Sequence, residues 1–549
     1  MARKLHARYR ITGRLTAVTP LHVGGYGEST DTDMPLARNG AGDLYVPGTS
    51  LAGVLRAWYA RAFGDNATDA LWGFQKPDAT GQASFILVDD APVQLPMGAQ
   101  VEIRDGVGID RVWGSAAESI KYDRAVLPSG TSLPLGLTVD IAARHRARDE
   151  TKSETPEMFA ARVQRTQAGI GHLLVVLEKG HIPFGAARTR GLGRVVCTLE
   201  RVLHQQLDSR AGIFAVLDGC GTAVSVQELC AADPATRPQR QPRLDIAIRW
   251  QPRGPLMVKA GYDGVGVDIV PLVSATANGM ALVLPGSSVK GALRSQAERI
   301  VRTVLGRRAS AHPQARQRFL IQLEEVPLIR ELFGSRAQSQ TPTAPATAPQ
   351  DTSPLPGLGA LAVEDCYAHD SMSPEHWRAV TTASAAADQS YEQQELWKAL
   401  KTLERVSSGR YTVAHHVAID RWTGGTADGM LFSVLAPENM TWHDLCLRLD
   451  LGRLPEALRW PGLMLLLLTL RDLLQHRLPL GFATNRGMGE LDVVECHLQG
   501  TDLDTLGLAG LADLRLSEPG FQALDASLRE RLTQEWQGWI TKQAAGGDS

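Results

Sequence analysis

The stretch IPFGAARTRGLGR, residues 182–194, returns near the other end of the chain as LPLGFATNRGMGE, residues 478–490. We call these two stretches the glycine–arginine loops. Because a motif that recurs in one chain indicates a duplicated module, this pair decides how the fold is interpreted. The loops align without a gap, and the identical pairs are Pro183/Pro479, Gly185/Gly481, Ala187/Ala483, Arg190/Arg486, Gly191/Gly487 and Gly193/Gly489.

Each glycine–arginine loop has a composition typical of a phosphate-binding site. Glycines allow backbone N–H groups to converge on an anion, and an arginine is retained among them. A tight turn would explain the glycines but not the arginine, and both interpretations stay open. The residues predicted to contact phosphate are Arg188, Arg190, Gly191 and Gly193 in the first copy and Arg486, Gly487 and Gly489 in the second.

The patterns that precede the glycine–arginine loops repeat in the same order, with a restart at Arg243. A predicted strand is followed by a Gly- and Asp-rich early loop, then by a short strand, a Pro-Gly turn and a helix. A segment containing Ile-Asp-Arg comes later in each copy. Its sequence indicates either a protruding loop or a turn held by an Asp–Arg ion pair. The matched segments are 9–19 and 244–250 (strand), 20–40 and 254–272 (early loops), 44–64 and 282–301 (strand, turn, helix), and 107–122 and 417–432 (Ile-Asp-Arg).

The repeat predicts two modules, residues 1–235 and 243–500. The stretch 335–357 is rich in Pro, Thr, Ala and Gln without periodicity, so we expect a disordered insertion there. The tail, 501–549, carries apolar residues at helical spacing from Leu524 to Ile540, which predicts an amphipathic helix. This helix could pack on its own module or on a neighbouring subunit.

The bulk composition is that of an ordinary folded protein and does not indicate which ligands it binds. The 549 residues are 44% hydrophobic and 21% charged, with a formal net charge of −2. The six cysteines form no C-x-x-C pair, which argues against a zinc knuckle or a disulfide framework. The apolar run at 463–470 is too short to cross a bilayer. Pro461 and the Arg471–Asp472 pair flank the run, which predicts a buried helix. No signal peptide is evident, so a cytoplasmic protein without membrane partners is expected.

A Pro-Gly-[Thr/Ser]-Ser turn opens a helix in both modules. Free N–H groups and the helix dipole at such a point attract phosphate, while the hydroxyls can instead serve as N-caps. An arginine follows in both copies, and the second copy adds a lysine where the first has Ala52. The predicted RNA contacts are Thr49, Ser50 and Arg56 in the first module and Ser287, Ser288, Lys290 and Arg294 in the second.

An aspartate recurs in the early loops as Asp33 and Asp268. An aspartate between two phosphate-binding elements is suited to act as a general base for a 2′-hydroxyl or as a ligand for a divalent ion. A turn-forming role is the plainer alternative, and Asp31 is a second candidate for the working acid. His415 and His416 offer competing nuclease chemistry, but neither recurs in the first module.

Taken together, these motifs resemble those of the RAMP superfamily of CRISPR effector proteins, and more narrowly the backbone subunit of type III effectors. The matching features are Asp-x-Pro in the early loop, strand–Pro-Gly-[Ser/Thr]-Ser–helix–Arg, Ile-Asp-Arg-x-[Thr/Trp]-Gly-x-Ala, and the closing glycine–arginine loop. The resemblance covers about 1–200 and 243–496. A tandem of two such modules resembles the double backbone subunits of type III-D-like systems.

The resemblance implies an α+β fold of two modified ferredoxin-like (RRM-like) modules, each with palm and thumb elements. It implies binding of guide RNA along its backbone, together with complementary target RNA and other type III subunits. It also implies cleavage of the target by Asp33 and Asp268 with a divalent ion, Mg or Mn. The second site departs from the pattern because Asp-Ile-Val-Pro has one extra residue before Pro271, and no arginine corresponds to Arg38.

Two other functions remain compatible with the sequence. One is a guide-RNA scaffold in which one or both sites are inactive. The other is a RAMP endoribonuclease that processes guide precursors by means of His415 or His416. Target cleavage by Asp33→Ala and Asp268→Ala variants separates the first of these from an RNA-guided endoribonuclease.

Overall fold

A computed structural model describes residues 4–25, 32–76, 81–142, 154–335, 357–384, 394–517 and 524–545. The chain is a mixed α and β protein, as predicted. Almost all of the predicted disordered insertion at 335–357 lies outside the described residues, as does Asp31.

The first repeat supplies twelve of the described strands and five of the described helices. The strands are β1 (Leu5–Ala17), β2 (Tyr45–Val46), β3 (Phe74–Gln75), β4 (Gly81–Gln82), β5 (Ile86–Val88), β6 (Ala91–Pro92), β7 (Glu102–Ile109), β8 (Ala116–Val126), β9 (Ser132–Ala142), β10 (Arg190–Gly191), β11 (Val195–Gln206) and β12 (Thr222–Ala223). The helices are α1 (Gly48–Phe63), α2 (Asp65–Trp72), α3 (Pro156–Glu178), α4 (Arg210–Leu217) and α5 (Val226–Ala231).

The second repeat and the tail supply the remaining described elements. The strands are β13 (Arg243–Pro252), β14 (Val273–Thr276), β15 (Gly279–Leu284), β16 (Leu361–Glu364), β17 (Cys366–Tyr367), β18 (Arg410–Ile419), β19 (Thr426–Glu438), β20 (Leu445–Asp450), β21 (Leu491–Thr501) and β22 (Asp513–Leu516). The α-helices are α6 (Gly286–Leu305), α7 (Ala315–Glu324), α8 (Ile329–Phe333), α9 (Pro374–Thr382), α10 (Glu395–Val406), α11 (Glu456–Leu474) and α12 (Ala526–Ala545), and short 3-10 turns occur at Leu451–Arg453, Thr484–Arg486, Leu503–Leu506 and Ala509–Leu511.

The two repeats build main sheets with the same strand order. In the first, the order is β12-β11-β1-β9-β5, and all neighbours are antiparallel. In the second, β22-β21-β13-β20-β16 follows the same sequence of equivalent strands. One strand is added at the edge of the second sheet, where β10 pairs in parallel with β16. The duplication inferred from the glycine–arginine loops therefore extends to the sheet topology.

The chain divides into two compact units whose limits differ from those of the repeats. The first unit comprises Met1–Glu102, Ala125–Arg188 and Leu192–Arg240, and the second comprises the rest. Two segments of the first repeat, Ile103–Arg124 and Thr189–Gly191, therefore belong to the second unit. The predicted module limits of 1–235 and 243–500 remain a description of the sequence repeat.

Alternating side chains give the central strands their buried faces. In β1, Ile11, Gly13 and Leu15 are buried, while Thr12 and Arg14 are more exposed, as the two-residue period of a strand requires. The equivalent strand β13 buries Leu244, Ile246 and Ile248 in the core of the second unit. Helices packed over these faces, such as α3 and α11, complete the two cores.

Helix α11 contains the apolar run at 463–470 and is buried along most of its length, as predicted. Pro461 lies inside the helix, just before the apolar run. The tail helix α12 packs against α11 in its own unit, where Leu528, Leu532 and Trp536 are buried. Within the described part of the chain, no helix is both long and apolar enough to cross a membrane.

Candidate nucleic-acid interface

The two glycine–arginine loops share a backbone conformation at four equivalent positions. Four equivalent positions in each loop lie in the left-handed region of φ, including an alanine, which adopts it only uncommonly. The φ values are 72° and 89° at Gly185 and Gly481, 56° and 53° at Ala187 and Ala483, 92° and 84° at Gly191 and Gly487, and 86° and 84° at Gly193 and Gly489. A shared conformation at such unusual positions indicates that the loops are structurally equivalent.

The last glycine of each loop is required by a close approach of the backbone. A Cβ at Gly193 would lie 2.0 Å from the carbonyl oxygen of Phe184, and one at Gly489 would lie 2.0 Å from that of Leu480. Turn geometry thus accounts for these two glycines. Turn geometry does not account for Arg190 or Arg486, both of which are exposed.

Hydrogen bonds join each glycine–arginine loop to the early loop of its own repeat. In the first repeat, Gly193 N donates to Pro20 O at 2.9 Å, and Ala186 N donates to His22 O at 2.9 Å. In the second, the equivalent bonds run from Gly489 N to Pro255 O at 3.0 Å and from Phe482 N to Met257 O at 2.7 Å. The fold therefore brings together the two elements that the sequence marked for phosphate binding and for acid chemistry.

The two legs of each early loop pair with each other in one register. The bonds are Ala37 N to Val23 O and Gly25 N to Pro35 O in the first repeat, and Leu272 N to Val258 O and Ala260 N to Val270 O in the second. Each residue in the second set lies the same distance along the chain from its counterpart. Val270 therefore occupies the position of Pro35, and the extra residue between Asp268 and Pro271 does not shift the register of the loop.

The early loop also contacts the strand that leaves the Ile-Asp-Arg segment. Ala125 N donates to Met34 O at 3.1 Å, and Leu435 N donates to Ile269 O at 2.9 Å. Met34 and Ile269 directly follow the two candidate aspartates. In each repeat, the early loop thus connects the glycine–arginine loop with the base of the Ile-Asp-Arg segment.

The Asp268 carboxylate is held by the backbone and side chain of Ser433. Its Oδ2 accepts hydrogen bonds from Ser433 N at 2.7 Å and from Ser433 Oγ at 2.8 Å. These donors lower the pKa of Asp268, and the charge of nearby His415 contributes in the same direction. Asp33 lies exposed on its own early loop. The counterpart of Ser433 in the first repeat is Asp123, and an ionised carboxylate has no proton to donate.

Internal carboxylates occupy the first backbone donor of both helices that follow the Pro-Gly turns. Gly48 N donates to Asp90 Oδ1 at 2.7 Å, and Gly286 N donates to Asp365 Oδ1 at 2.7 Å. Pro47 and Pro285 stand at the N-cap positions, with no side-chain cap. The predicted capping by Thr49 or Ser50 was therefore wrong.

The hydroxyl side chains of this helix start lie inside the first turn. Thr49, Ser50 and Ser287 are exposed, and Ser288 is half-buried. They are accessible to a ligand, whereas the first backbone N–H is not.

The arginine that follows the helix start forms hydrogen bonds with other parts of the fold in both repeats. Arg56 donates to Gly73 O at 3.3 Å and to Asp69 Oδ1 at 2.7 Å. Arg294 donates to the equivalent Gly334 O at 2.9 Å and to Glu298 at 2.8 Å. A structural role therefore explains why this arginine recurs.

Lys290 is buried, with its Nζ 2.6 Å from Leu361 O and 3.0 Å from Thr189 Oγ1. Burial, and the positive charges of Arg190 and Arg294, lower the pKa of Lys290 well below its usual range. Burial and the charge of Arg190 also lower the pKa of Arg124. Arg190 therefore stands at the exposed end of a group of cationic side chains in the second unit.

The remaining predicted arginines differ in exposure. Arg188 is half-buried, and burial lowers its pKa. Arg486 is exposed, and its guanidinium lies 5.7 Å from the centre of the Phe432 ring, in cation–π range. The free face of this arginine and the exposed hydroxyls are suited to phosphate oxygens.

The histidines of the first early loop and of the second hairpin (β18–β19) have separate surroundings. His22 is buried, and its Nδ1 lies 2.7 Å from Ala125 O, which makes it a structural link of the early loop. His415 is exposed and lies opposite Ser433 in the β18–β19 register. His416 stacks on Phe432.

The described residues do not fit a divalent metal ion by themselves. No group of three or more His, Cys, Asp or Glu side chains in the described part of the chain is arranged to hold one. A single carboxylate such as Asp33 would need water and RNA phosphate oxygens to complete the coordination. The predicted Mg or Mn stays a prediction from the sequence.

Sequence reasoning missed Ser433 and the two capping aspartates. Asp90 and Asp365 end equivalent strand segments, so their recurrence was a usable signal. Ser433 does not recur, and only the three-dimensional structure places it beside Asp268.

The family model of the RAMP superfamily matches residues 14–196 and 281–492. The chain belongs to the RAMP superfamily. The two matched regions fall within the two repeats and include both glycine–arginine loops and both helix starts, but not the second early loop, residues 254–272. Membership implies CRISPR-associated RNA binding. No curated protein matches the chain in a sequence search.

Proposed function

We propose that this RAMP protein is a backbone subunit of a type III CRISPR effector that binds guide RNA and cleaves complementary target RNA. The observation that carries the proposal is the pair of hydrogen-bonded junctions between glycine–arginine loop and early loop. In the second repeat, the junction combines the exposed Arg486 with the early loop that carries Asp268. A backbone-binding protein with regularly spaced sites requires such a duplicated arrangement.

The RNA-binding part of the proposal rests on charge and accessibility. Arg190 and Arg486 are exposed, so their guanidinium groups are accessible to phosphate oxygens. Phosphate contacts position a nucleic acid without reading its sequence. The guide therefore supplies the specificity through base pairing, as in RNA-guided recognition generally.

The proposed contact set follows the accessibility of the predicted residues. Direct phosphate contacts are proposed for the arginines and backbone of the glycine–arginine loops and for the exposed hydroxyls of the helix starts. Arg56, Arg294 and Lys290 are proposed to support these elements from within the fold. This division follows from their bonds to backbone carbonyls.

We assign the cleavage chemistry first to Asp33. Its carboxylate would take the proton of a 2′-hydroxyl while that oxygen attacks the adjacent phosphorus. The bond to the 5′-oxygen breaks, solvent protonates the leaving oxygen, and a 2′,3′-cyclic phosphate remains. Asp268 is the weaker base in this proposal, because the donors of Ser433 stabilise its charged form.

The proposal includes the finer features implied by the family resemblance. Each repeat is a modified ferredoxin-like module, and the Ile-Asp-Arg segment is its thumb. Target RNA and other type III subunits are the partners, and the protein acts in the cytoplasm. The equal strand order of the two sheets supports one fold type for both modules.

Cleavage of a labelled complementary RNA by the assembled complex tests this function. In the Asp33→Ala variant, the rate of cleavage at the sites of the first module should fall by roughly 10²-fold or more, the usual contribution of a general base. The Asp268→Ala variant should lose less at its own cuts. As a matched control, Asp263→Ala alters an exposed acid of the second early loop and should leave all cuts unchanged. If neither Asp33→Ala nor Asp268→Ala removes a cut, the protein is a binding scaffold instead.

A further inference from the structure

The second repeat contains a helical insertion at a point where the first repeat has only a short connection. Up to this point the two repeats correspond, because β6 pairs with β2 in the same register in which β17 pairs with β15. In the first repeat, residues 93–101 then lead to the first hairpin, β7–β8, and contain no helix. In the second repeat, residues 368–409 lead to the second hairpin and carry α9 and α10. These two helices therefore have no counterpart at the equivalent position of the first repeat.

Both inserted helices pack into the core of the second unit. Trp377 and Val380 of α9 and Leu403 of α10 are buried there. Val267, which directly precedes Asp268 in the second early loop, is buried in the same core. The insertion is therefore an integral part of the unit that carries the second early loop.

Two hydrogen bonds join α9 to residues 262–265 of the second early loop. Trp377 Nε1 donates to Tyr262 Oη at 2.9 Å. Val265 N donates to Thr381 O, at the end of the same helix, at 2.9 Å. Because Trp377 is buried, its indole N–H depends on a protein acceptor rather than on water. Helix α9 thus binds the part of the loop that comes just before the candidate aspartate.

The candidate aspartate lies between this part of the loop and β19. Gly264 N donates to Val267 O at 3.0 Å, which closes a turn directly before Asp268. Directly after Asp268, Ile269 N donates to Ser433 O at 3.0 Å, and Ser433 also binds the carboxylate itself. The backbone is therefore held by α9 before Asp268 and by β19 after it.

We propose that α9 positions Asp268 for cleavage at the sites of the second module, with Trp377 and Tyr262 as positioning residues. A general base must lie within hydrogen-bond reach of the proton that it takes, and a misplacement of about 1 Å can slow a reaction by about 10²-fold. This inference rests on the proposed function, because it assigns the second set of cuts to Asp268. It adds that the second site depends on a support that the first repeat does not have at the equivalent position.

The Tyr262→Phe variant tests the positioning role, because it removes the acceptor of Trp377 Nε1 and keeps the aromatic ring. In the assembled complex with saturating target RNA, the single-turnover rate constant of the second-module cuts should fall by about fivefold. The affinity for target RNA should stay the same. The first-module cuts serve as an internal reference and should keep their rate, whereas a general loss of folding would slow both sets.

A second variant and a control identify the hydrogen bond as the cause. Trp377→Phe should slow the same cuts, and the Y262F/W377F double variant should cut no more slowly than the slower single variant, since both changes remove one bond. Thr382→Val removes an exposed hydroxyl of α9 that is bonded to Arg378 O within the helix, and it should cut normally.

Hydrogen exchange gives a readout that does not depend on cleavage. In Tyr262→Phe, the amides of Val265, Asp268 and Ile269 should exchange at least about threefold faster, because their hydrogen bonds hold this part of the loop. The amides of β13 in the same unit should keep their exchange rates.

The outcomes separate this inference from the proposed function. If Asp268→Ala slows the second-module cuts but Tyr262→Phe leaves them and the amide exchange unchanged, the positioning role is refuted and the proposed function stands. Equal slowing of both sets of cuts in Tyr262→Phe would also refute the positioning role. Second-module cuts that are unaffected by Asp268→Ala would contradict the proposed function itself, and the positioning role with it.

Discussion

The Asp268 carboxylate is the candidate site group whose environment is most fully defined at the scale of single residues. Two donors from one serine hold the same oxygen, and the serine hydroxyl also accepts from Asp268 N at 3.0 Å. The carboxylate therefore joins the early loop to the base of the second hairpin. The Asp268 side chain therefore holds the two elements together and is also a candidate for the chemistry.

Loss of the serine hydroxyl should raise the pKa of Asp268 toward its ordinary value. The folded-state pKa lies below the ordinary one, so the stability that Asp268 contributes is present above the unfolded pKa and is lost as pH falls through the folded pKa. In Ser433→Ala, this loss should begin at higher pH. Because the Ser433 N–H remains, the shift should be partial.

The pKa of Asp268 can be followed by NMR titration of ¹³C-labelled aspartate carboxyl groups. Ser408→Ala is the control, because its hydroxyl binds Asp370 instead. A titration that is unchanged in Ser433→Ala would show that the hydroxyl does not stabilise the charged carboxylate.

At the scale of elements, the glycines of the second glycine–arginine loop differ in how strictly the fold requires them. Gly487 and Gly489 share a φ of 84°, but only Gly489 is also crowded, by Leu480. The sequence could not distinguish them, because both recur at the same spacing. Steric crowding from a distant carbonyl oxygen is a property of the folded loop.

Alanine at these two glycines should therefore have unequal effects on stability. Gly487→Ala should cost about 1 kcal/mol, the usual penalty of a left-handed backbone with a Cβ. Gly489→Ala adds a collision with Leu480 O and should cost about 3 kcal/mol or more. Denaturant unfolding of the second unit measures both changes. Equal costs would contradict the close approach that defines the loop.

The element pattern was largely predictable from the sequence, because it depends on local periodicity. The strands around 9–19 and 244–250, the two helix starts, the buried helix at 463–470 and the tail helix were all predicted. The structural roles that the sequence did not indicate belong to residues whose partners are remote in the chain. Arg294 was predicted to bind RNA, yet its hydrogen bonds with Gly334 and Leu323 depend on tertiary folding.

At the scale of the whole molecule, a duplicated sequence has produced two unequal repeats. The hairpin of the first repeat is part of the second unit, whereas the tip of the second hairpin is exposed. Sequence similarity between the hairpins could not reveal this, since Asp110 and its partner Arg318 are far apart in the chain. The inequality arises from Arg318 and the other residues that bind the tip of the first hairpin, because the fully described stretch 32–76 has no counterpart of α7.

The central claim of this account is that the glycine–arginine loops hold guide RNA by its backbone. The most direct test is the affinity of the protein for guide RNAs of unrelated sequence over a range of salt concentrations. Arg190→Ala and Arg486→Ala should each weaken binding about equally for all guides and reduce the salt slope by about one. Arg477→Ala removes an exposed arginine outside the loops and should bind as the unaltered protein does. Unchanged affinity in Arg190→Ala and Arg486→Ala, or a loss confined to particular guide sequences, would contradict the claim.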